Sequence, residues 1–330
     1  MGPIFLGTGI SSIGLLYHYD KIHPEQKKMV ISSKKIFPKV DEKIIILISK
    51  NGMKRNLSSL GDLLLESFNY FESKFIKHNG VSKIKQYHLC PDSKFGRDKF
   101  LRRFNNLGEH LTIPHSHEMY SGNVLESYLV EPKFFINSLI NSLKGEVCFV
   151  DDTVISILTD EKIKINTLSG QVYETGRLFI GNGPHTKFIP LNFLQSTKLE
   201  RHKAIAGGVW QGIQDLGKDS FVITVGGANM IYLASKCLVQ VSGKADPNAF
   251  FSGTEQDIFR EHRHFSQIIP KLLRFDLGDL TYSLRDKGAK RMPYFQSLHS
   301  NGLKVTTSCG AYKNGYTTSL YLAKKELMSS

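Results

Sequence analysis

The sequence predicts an α/β protein in which a nucleotide-binding sheet is interleaved with a second, mostly antiparallel sheet. Three observations carry this. A short apolar strand at residues 3–7 runs into Gly7-Thr8-Gly9-Ile10-Ser11-Ser12, a helical run from Ile13 to Tyr19 and a second strand at Met29-Val30-Ile31-Ser32. Strand, glycine turn, helix and strand in that order open a Rossmann-like fold. Between Val147 and Tyr173, and again over residues 205–242, short apolar strands follow one another without helices between them, as in antiparallel meanders. No linker, repeat or low-complexity tract divides the 330 residues, so the two units must exchange segments. The expected division gives residues 1–80, 132–200 and 285–330 to the nucleotide domain, and 81–131 and 201–284 to the other.

The remaining elements follow in order. Leu60, Leu63, Leu64, Phe68, Phe71 and Phe75 recur at helical spacing within a helix over 57–78. Residues 80–131 read as irregular. A helix pattern returns from Pro132 to Leu143 and leads into the first meander. Arg177 to Ile180 forms a further apolar strand, closed by Gly181-Asn182-Gly183-Pro184. Glu255 to Leu273 is helical, Leu303 to Thr307 a strand, and Thr317 to Leu327 the last helix.

A chain that is 41% hydrophobic and 22% charged has enough apolar surface for a core without metal or disulfide staples. Its four cysteines, Cys90, Cys148, Cys237 and Cys309, lie far apart with no CxxC pair, which fits a reducing compartment. His115 and His117 could share one face, but no third ligand accompanies them, so no metal is expected. Cys309 has no evident histidine partner and reads as a buried thiol. No apolar run approaches the roughly 18–20 residues of a bilayer span, and a cytoplasmic protein is expected. The net charge of +13 would attract anions, although the lysines are spread along the chain.

Gly7-x-Gly9-x-x-Ser12 has the right context for a dinucleotide. Gly7 permits the turn, Gly9 lets the backbone approach a pyrophosphate, and Ser12 is a small substitute for the usual third glycine. The acid that usually holds the ribose at the end of the second strand is replaced by Ser32-Ser33-Lys34-Lys35, with no carboxylate until Asp41. Lysines there could suit a 2′-phosphate, so NADP stays open beside FAD.

The C-terminal part is more specific. Tyr282-Ser283-Leu284-Arg285, then Pro293-Tyr294, then Leu303-Lys304-Val305, then Gly310-Ala311-Tyr312-Lys313-Asn314-Gly315-Tyr316 ahead of a helix resembles the close of the D-amino-acid oxidase and glycine oxidase superfamily. Leu129-Val130-Glu131-Pro132, Val147 to Val154, Leu178-Phe179-Ile180-Gly181-Asn182-Gly183 and Val209-Trp210 resemble further family elements in order; residues 34–131 match poorly. The resemblance implies an FAD-binding domain with an interleaved substrate domain, and oxidation of an amine or amino acid by hydride transfer to flavin. It implies cofactor contacts from Gly7, Gly9, Ser12, Ser33, Val154, Gly181, Gly183, Gly310, Asn314 and Gly315. Arg285 matches the position that grips the substrate carboxylate, where a guanidinium fork pairs bidentately. Lys313 matches a second cation, and Tyr232 and Tyr312 fall near the substrate.

Two other readings accompany this one. Relatives of the family modify a tRNA wobble uridine, and the positive charge would suit tRNA. A degenerate member could instead serve as a partner-binding subunit for an acidic protein, which the missing ribose acid favours.

Overall fold

The computed structural model describes residues 2–33, 44–50, 53–183, 186, 189, 203–243, 251–276, 280–287, 292–300, 302–310 and 315–329. In chain order the first half comprises β1 (Ile4–Leu6), α1 (Ile10–Ile22), β2 (Lys28–Ile31), β3 (Ile46–Ile48), α2 (Ser59–Lys74), β4 (Val81–Leu89), α3 (Lys94–Phe104), β5 (Glu109–Thr112), β6 (Met119–Val130) and α4 (Pro132–Asn141). Then come β7 (Val147–Val150), β8 (Val154–Thr159), β9 (Ile163–Thr167), β10 (Val172–Thr175) and β11 (Arg177–Ile180). The rest is β12 (Lys203–Ile213), β13 (Phe221–Val225), β14 (Ala228–Leu233), β15 (Leu238–Ser242), α5 (Phe251–Ile268), β16 (Leu280–Lys287), β17 (Tyr294–Ser300), β18 (Leu303–Cys309) and α6 (Gly315–Met328).

These strands form the mixed α/β architecture expected. A six-stranded sheet runs in the order β17-β18-β11-β1-β2-β7 and is parallel except for β17. Residues 4–6 of β1 and 178–180 of β11 are apolar because both faces are covered: Phe5 and Phe179 stack on the side of α1, while Ile4, Leu6, Leu178 and Ile180 pack towards the β8–β10 meander. Helix α1 is buried on nearly every side and rests on α6, where Gly14 lets Leu320 close in. Helix α2 adds Phe68 and Phe71, with Phe75 just beyond its end, to the same core.

At the amino end of this sheet lies a sealed ion pair. Lys28 and Asp20 side chains are 0% and 2% exposed, with Nζ 2.7 Å from Oδ1. The Lys144 and Gly145 amides also donate to Asp20, at 2.7 and 3.0 Å. Burial pushes the Asp20 carboxyl up, but these bonds and the Lys28 charge outweigh it and hold the carboxyl below its ordinary value.

The second large sheet is mostly antiparallel, in the order β16-β12-β15-β14-β13-β4-β6-β3, with β5 on β6. Helix α5 covers one face, over Trp210, Met230, Tyr232 and Val241. Strands β3 and β15 are five spacings apart, about 24 Å in a flat sheet. Yet the Gln240 side chain accepts from the Ile45 amide at 2.8 Å and donates to the Ile45 carbonyl at 2.7 Å. The sheet is therefore strongly curled.

One expectation is corrected. Residues 80–131 are not irregular but carry β4, α3, β5 and β6. Residues 46–48 pair with β6, and β16 runs unbroken through residue 285 as part of the curled sheet.

Candidate functional site

Parallel strands place their carboxyl ends along one edge, and in open α/β sheets ligands bind outside that edge. The register puts Leu6 beside Ile31 and Ile180, Ile31 beside Val150, and Ile180 beside Thr307. Gly7, Ser32 and Gly181 therefore leave their strands close to one level, and Gly310 follows two residues further on, just past β18. Backbone hydrogen bonds fix the turns: the Gly7 amide donates to the Ile31 carbonyl, the Gly181 amide to Leu6, and the Ser32 amide to Val150.

Gly7 has φ of +88°, the left-handed region that favours glycine, and a Cβ there would collide with the Asn182 side chain. Gly9 caps α1 with no side-chain hydrogen bond to the first turn, and no acidic residue follows in that turn. A Cβ on Gly9 would meet only the Gly181 carbonyl oxygen, at 3.8 Å. Bare amides at a helix N-terminus with open space before them form an anion cradle.

Ser12 is fully buried, and a Cβ on Gly181 would come within 2.5 Å of the Ser12 amide nitrogen. The close packing usually owed to the third glycine is thus supplied from the opposite side, by Gly181. Asn182 Oδ1 is buried against Gly7 without a hydrogen-bond partner. The N-terminal turns of α1 and α6 are joined by Ser11 and Ser319 hydroxyls 2.9 Å apart, which brings Gly315 to the same edge.

These residues fit the pyrophosphate of a dinucleotide. The ribose end is built differently: Ser32 bonds Thr8 at 3.2 Å, Ser33 follows half-buried, and hydroxyls stand where a carboxylate is usual. Val154 opens β8, four residues past the end of β7. Lys34, Lys35, Asp41, Tyr312, Lys313 and Asn314 lie outside the described residues. Arg285 pairs with Ile205 in the β12–β16 ladder, and its side chain is also outside the description.

Tyr232 lies in the core. Its ring is 0% exposed beneath α5; its hydroxyl donates to the Gly217 carbonyl at 2.8 Å and accepts from the Leu216 amide at 3.0 Å. It ties a loop to the core on the face away from the concave side. His115 sits at a positive φ with its ring tilted against Phe221, and no group of three or more His, Cys, Asp or Glu gathers among the described residues. Among those residues no helix is long and apolar enough to cross a membrane. Thr8, Asn182, Ser11 and Ser319 were not singled out from the sequence; only the Gly-Asn-Gly step after β11 signalled Asn182.

No protein-family model and no curated protein matches the sequence. Solved structures do. Glycine oxidase from Geobacillus kaustophilus superposes with a TM-score of 0.73 at 13% identity, over 98% of this chain and 92% of that one. Iminodiacetate oxidase from Chelativorans sp. BNC1 gives 0.75 at 12%, over 99% and 95%. Fructosamine oxidase from Aspergillus fumigatus gives 0.74 at 12%, over 99% and 85%. At such identities a likeness establishes architecture, and the chain has the fold shared by these oxidases, the one its sequence motifs imply.

Proposed function

We propose that the protein is an FAD-dependent oxidoreductase acting on a small amine or amino acid. The observation that carries this reading is the open, uncapped N-terminus of α1 at Gly9, set at the carboxyl edge of a parallel sheet beside Gly181. Gly7, Gly9 and Ser12 would hold the pyrophosphate, Ser33 and Val154 the adenosine end, and Gly181, Gly183, Gly310, Asn314 and Gly315 the flavin side. Bound flavin would supply the acceptor for a hydride from the carbon bearing the amine. The chain's own task is to bind and orient the substrate and to exclude water. Arg285 and Lys313 are the proposed anchors for a substrate carboxylate, and Tyr312 lines the approach.

Hydroxyls in place of the ribose carboxylate at Ser32 and Ser33 favour a second reading, in which the fold persists without turnover. The absorbance spectrum of the purified protein separates the two. A flavin spectrum bleached by an amino acid or amine under anaerobic conditions supports the oxidase. A colourless protein whose melting temperature is unmoved by FAD or NADP sinks it. If turnover is found, Arg285→Lys should lower it for amino acids while binding partly survives, because the charge stays and the fork is lost.

A further inference from the structure

The curled sheet has a second polar feature that the dinucleotide edge does not use. Side chains alternate along its strands: Phe221, Ile223, Met230, Tyr232, Val239 and Val241 pack under α5. Val222, Thr224, Asn229, Ile231, Gln240 and Ser242 therefore take the concave face. On that face Gln86 and Ser127 are wholly buried, and Thr224 nearly so. Polar groups are retained at such depth only when they are hydrogen-bonded, and here they form a directional chain.

The Ser127 hydroxyl donates to Gln86 Oε1 at 2.6 Å, and the Ser49 hydroxyl donates to the same oxygen. With its oxygen occupied by two donors, the Gln86 amide nitrogen donates to Thr224 Oγ1 at 2.7 Å. Thr224 has one hydroxyl proton, and it goes to Asn229 Oδ1 at 2.7 Å. The polarity leaves Asn229, half-buried at the end of the chain, with its NH2 group turned away from the relay.

Asn229 does not stand alone on the sheet. The register aligns it with Ser242 of β15, Ser242 with Val209 of β12, and Val209 with Thr281 of β16. This row crosses four strands, about 14 Å. Four residues further along β16 is Arg285.

We propose that Asn229 is a substrate-binding residue whose amide donates to a carboxylate or carbonyl oxygen of the substrate, and that Gln86 and Thr224 are positioning residues that set its orientation. The inference rests on the oxidase reading and adds to it a recognised chemistry: an acceptor oxygen on the substrate, met by a neutral donor. A buried relay suits this, because an amide otherwise free to flip is fixed with one end outward.

The test uses the flavin-loaded protein and pairs each amino acid with the amine lacking its carboxylate. Asn229→Asp replaces the donor with an acceptor, and KM for the carboxylate-bearing partner should rise by about tenfold or more with kcat little changed. Thr224→Val should raise the same KM, and Thr224→Ser, which keeps the relay hydroxyl, should restore it. A merely structural role would not split KM from kcat or be rescued by serine. Unchanged KM in Asn229→Asp and Thr224→Val overturns the proposal. So does an Asp tolerated at 229, since the relay would then run in the opposite sense with the carbonyl outward. If no amine is turned over, the oxidase reading fails by itself, and titration with glycolate followed by thermal melting decides the binding claim. A glycolate shift in the parent protein that Asn229→Asp loses and Thr224→Ser keeps upholds it; no shift in the parent removes it.

Discussion

At the amino end of the six-stranded sheet, Asp20 binds Lys28 and two backbone amides, sealed from water. At the carboxyl end, the Gly9 cap leaves the first turn of α1 unsatisfied by any side chain, and Asn182 Oδ1 lacks a partner. The same strands run through both. The difference teaches that stability and binding are divided along the strand direction, with unmet hydrogen-bonding capacity gathered where a ligand can reach it.

The comparison is broken most severely at the paired end. Asp20→Ala strands a buried ammonium and should cost about 3–5 kcal/mol in urea unfolding. Joint replacement of Asp20 and Lys28 by apolar residues should recover part of this, but not all, because the Lys144 and Gly145 amides lose their acceptor.

Acid sharpens the contrast next. Burial, reinforced by the charge of Lys21, lowers His18 to about 4, and burial with Arg103 lowers His88 to about 3. The unfolded chain then binds protons that the folded chain refuses. Stability should fall as pH drops from about 6.5 towards these values. Asp20, depressed below its unfolded value, adds a further loss only as pH falls through its folded pKa. Urea midpoints between pH 7 and 4 should slope downward, and His18→Gln with His88→Gln should flatten them.

At the open end the effects on folding shrink while those on binding grow. Gly181→Ala brings a methyl against the Ser12 backbone and should cost about 1–3 kcal/mol, with dinucleotide binding lost as well. Gly9→Ser should raise stability by a few tenths of a kcal/mol by capping α1. It should nonetheless abolish the thermal shift that FAD produces in the parent, worth roughly 2.7 kcal/mol at 100 times its dissociation constant. A Gly9→Ser protein that still binds FAD as before would detach the cradle from the cofactor.

The sequence made the six-stranded sheet legible because strands covered on both faces are apolar at every position, as in Leu178-Phe179-Ile180. The curled sheet hid its β4–β6 half for the opposite reason. Gln86 and Ser127 are buried polar residues, so the alternation of Lys83-Ile84-Lys85-Gln86-Tyr87 has no apolar face to mark it. The glycine edge was readable since its turns are short local motifs, Gly7-Thr8-Gly9 and Gly181-Asn182-Gly183. Asn229 was not: Thr224 lies close to it in sequence, but Gln86 and Ser127, which set the sense of the relay, come from distant strands. Tyr232 fell on a strand as expected, but a one-residue difference in register exchanges the concave face for the α5 face.

The clamp of Gln240 on Ile45 has a consequence for how the molecule forms. One side-chain amide imitates a neighbouring strand, offering both a donor and an acceptor to a backbone 195 residues earlier in the chain. That contact spans a large loop, so its closure entropy has to be met late, after β12–β15 have assembled. The Ile45 amide proton is then a single-site clock for the final closing of the curl, and its exchange with solvent should report opening of that seam ahead of global unfolding.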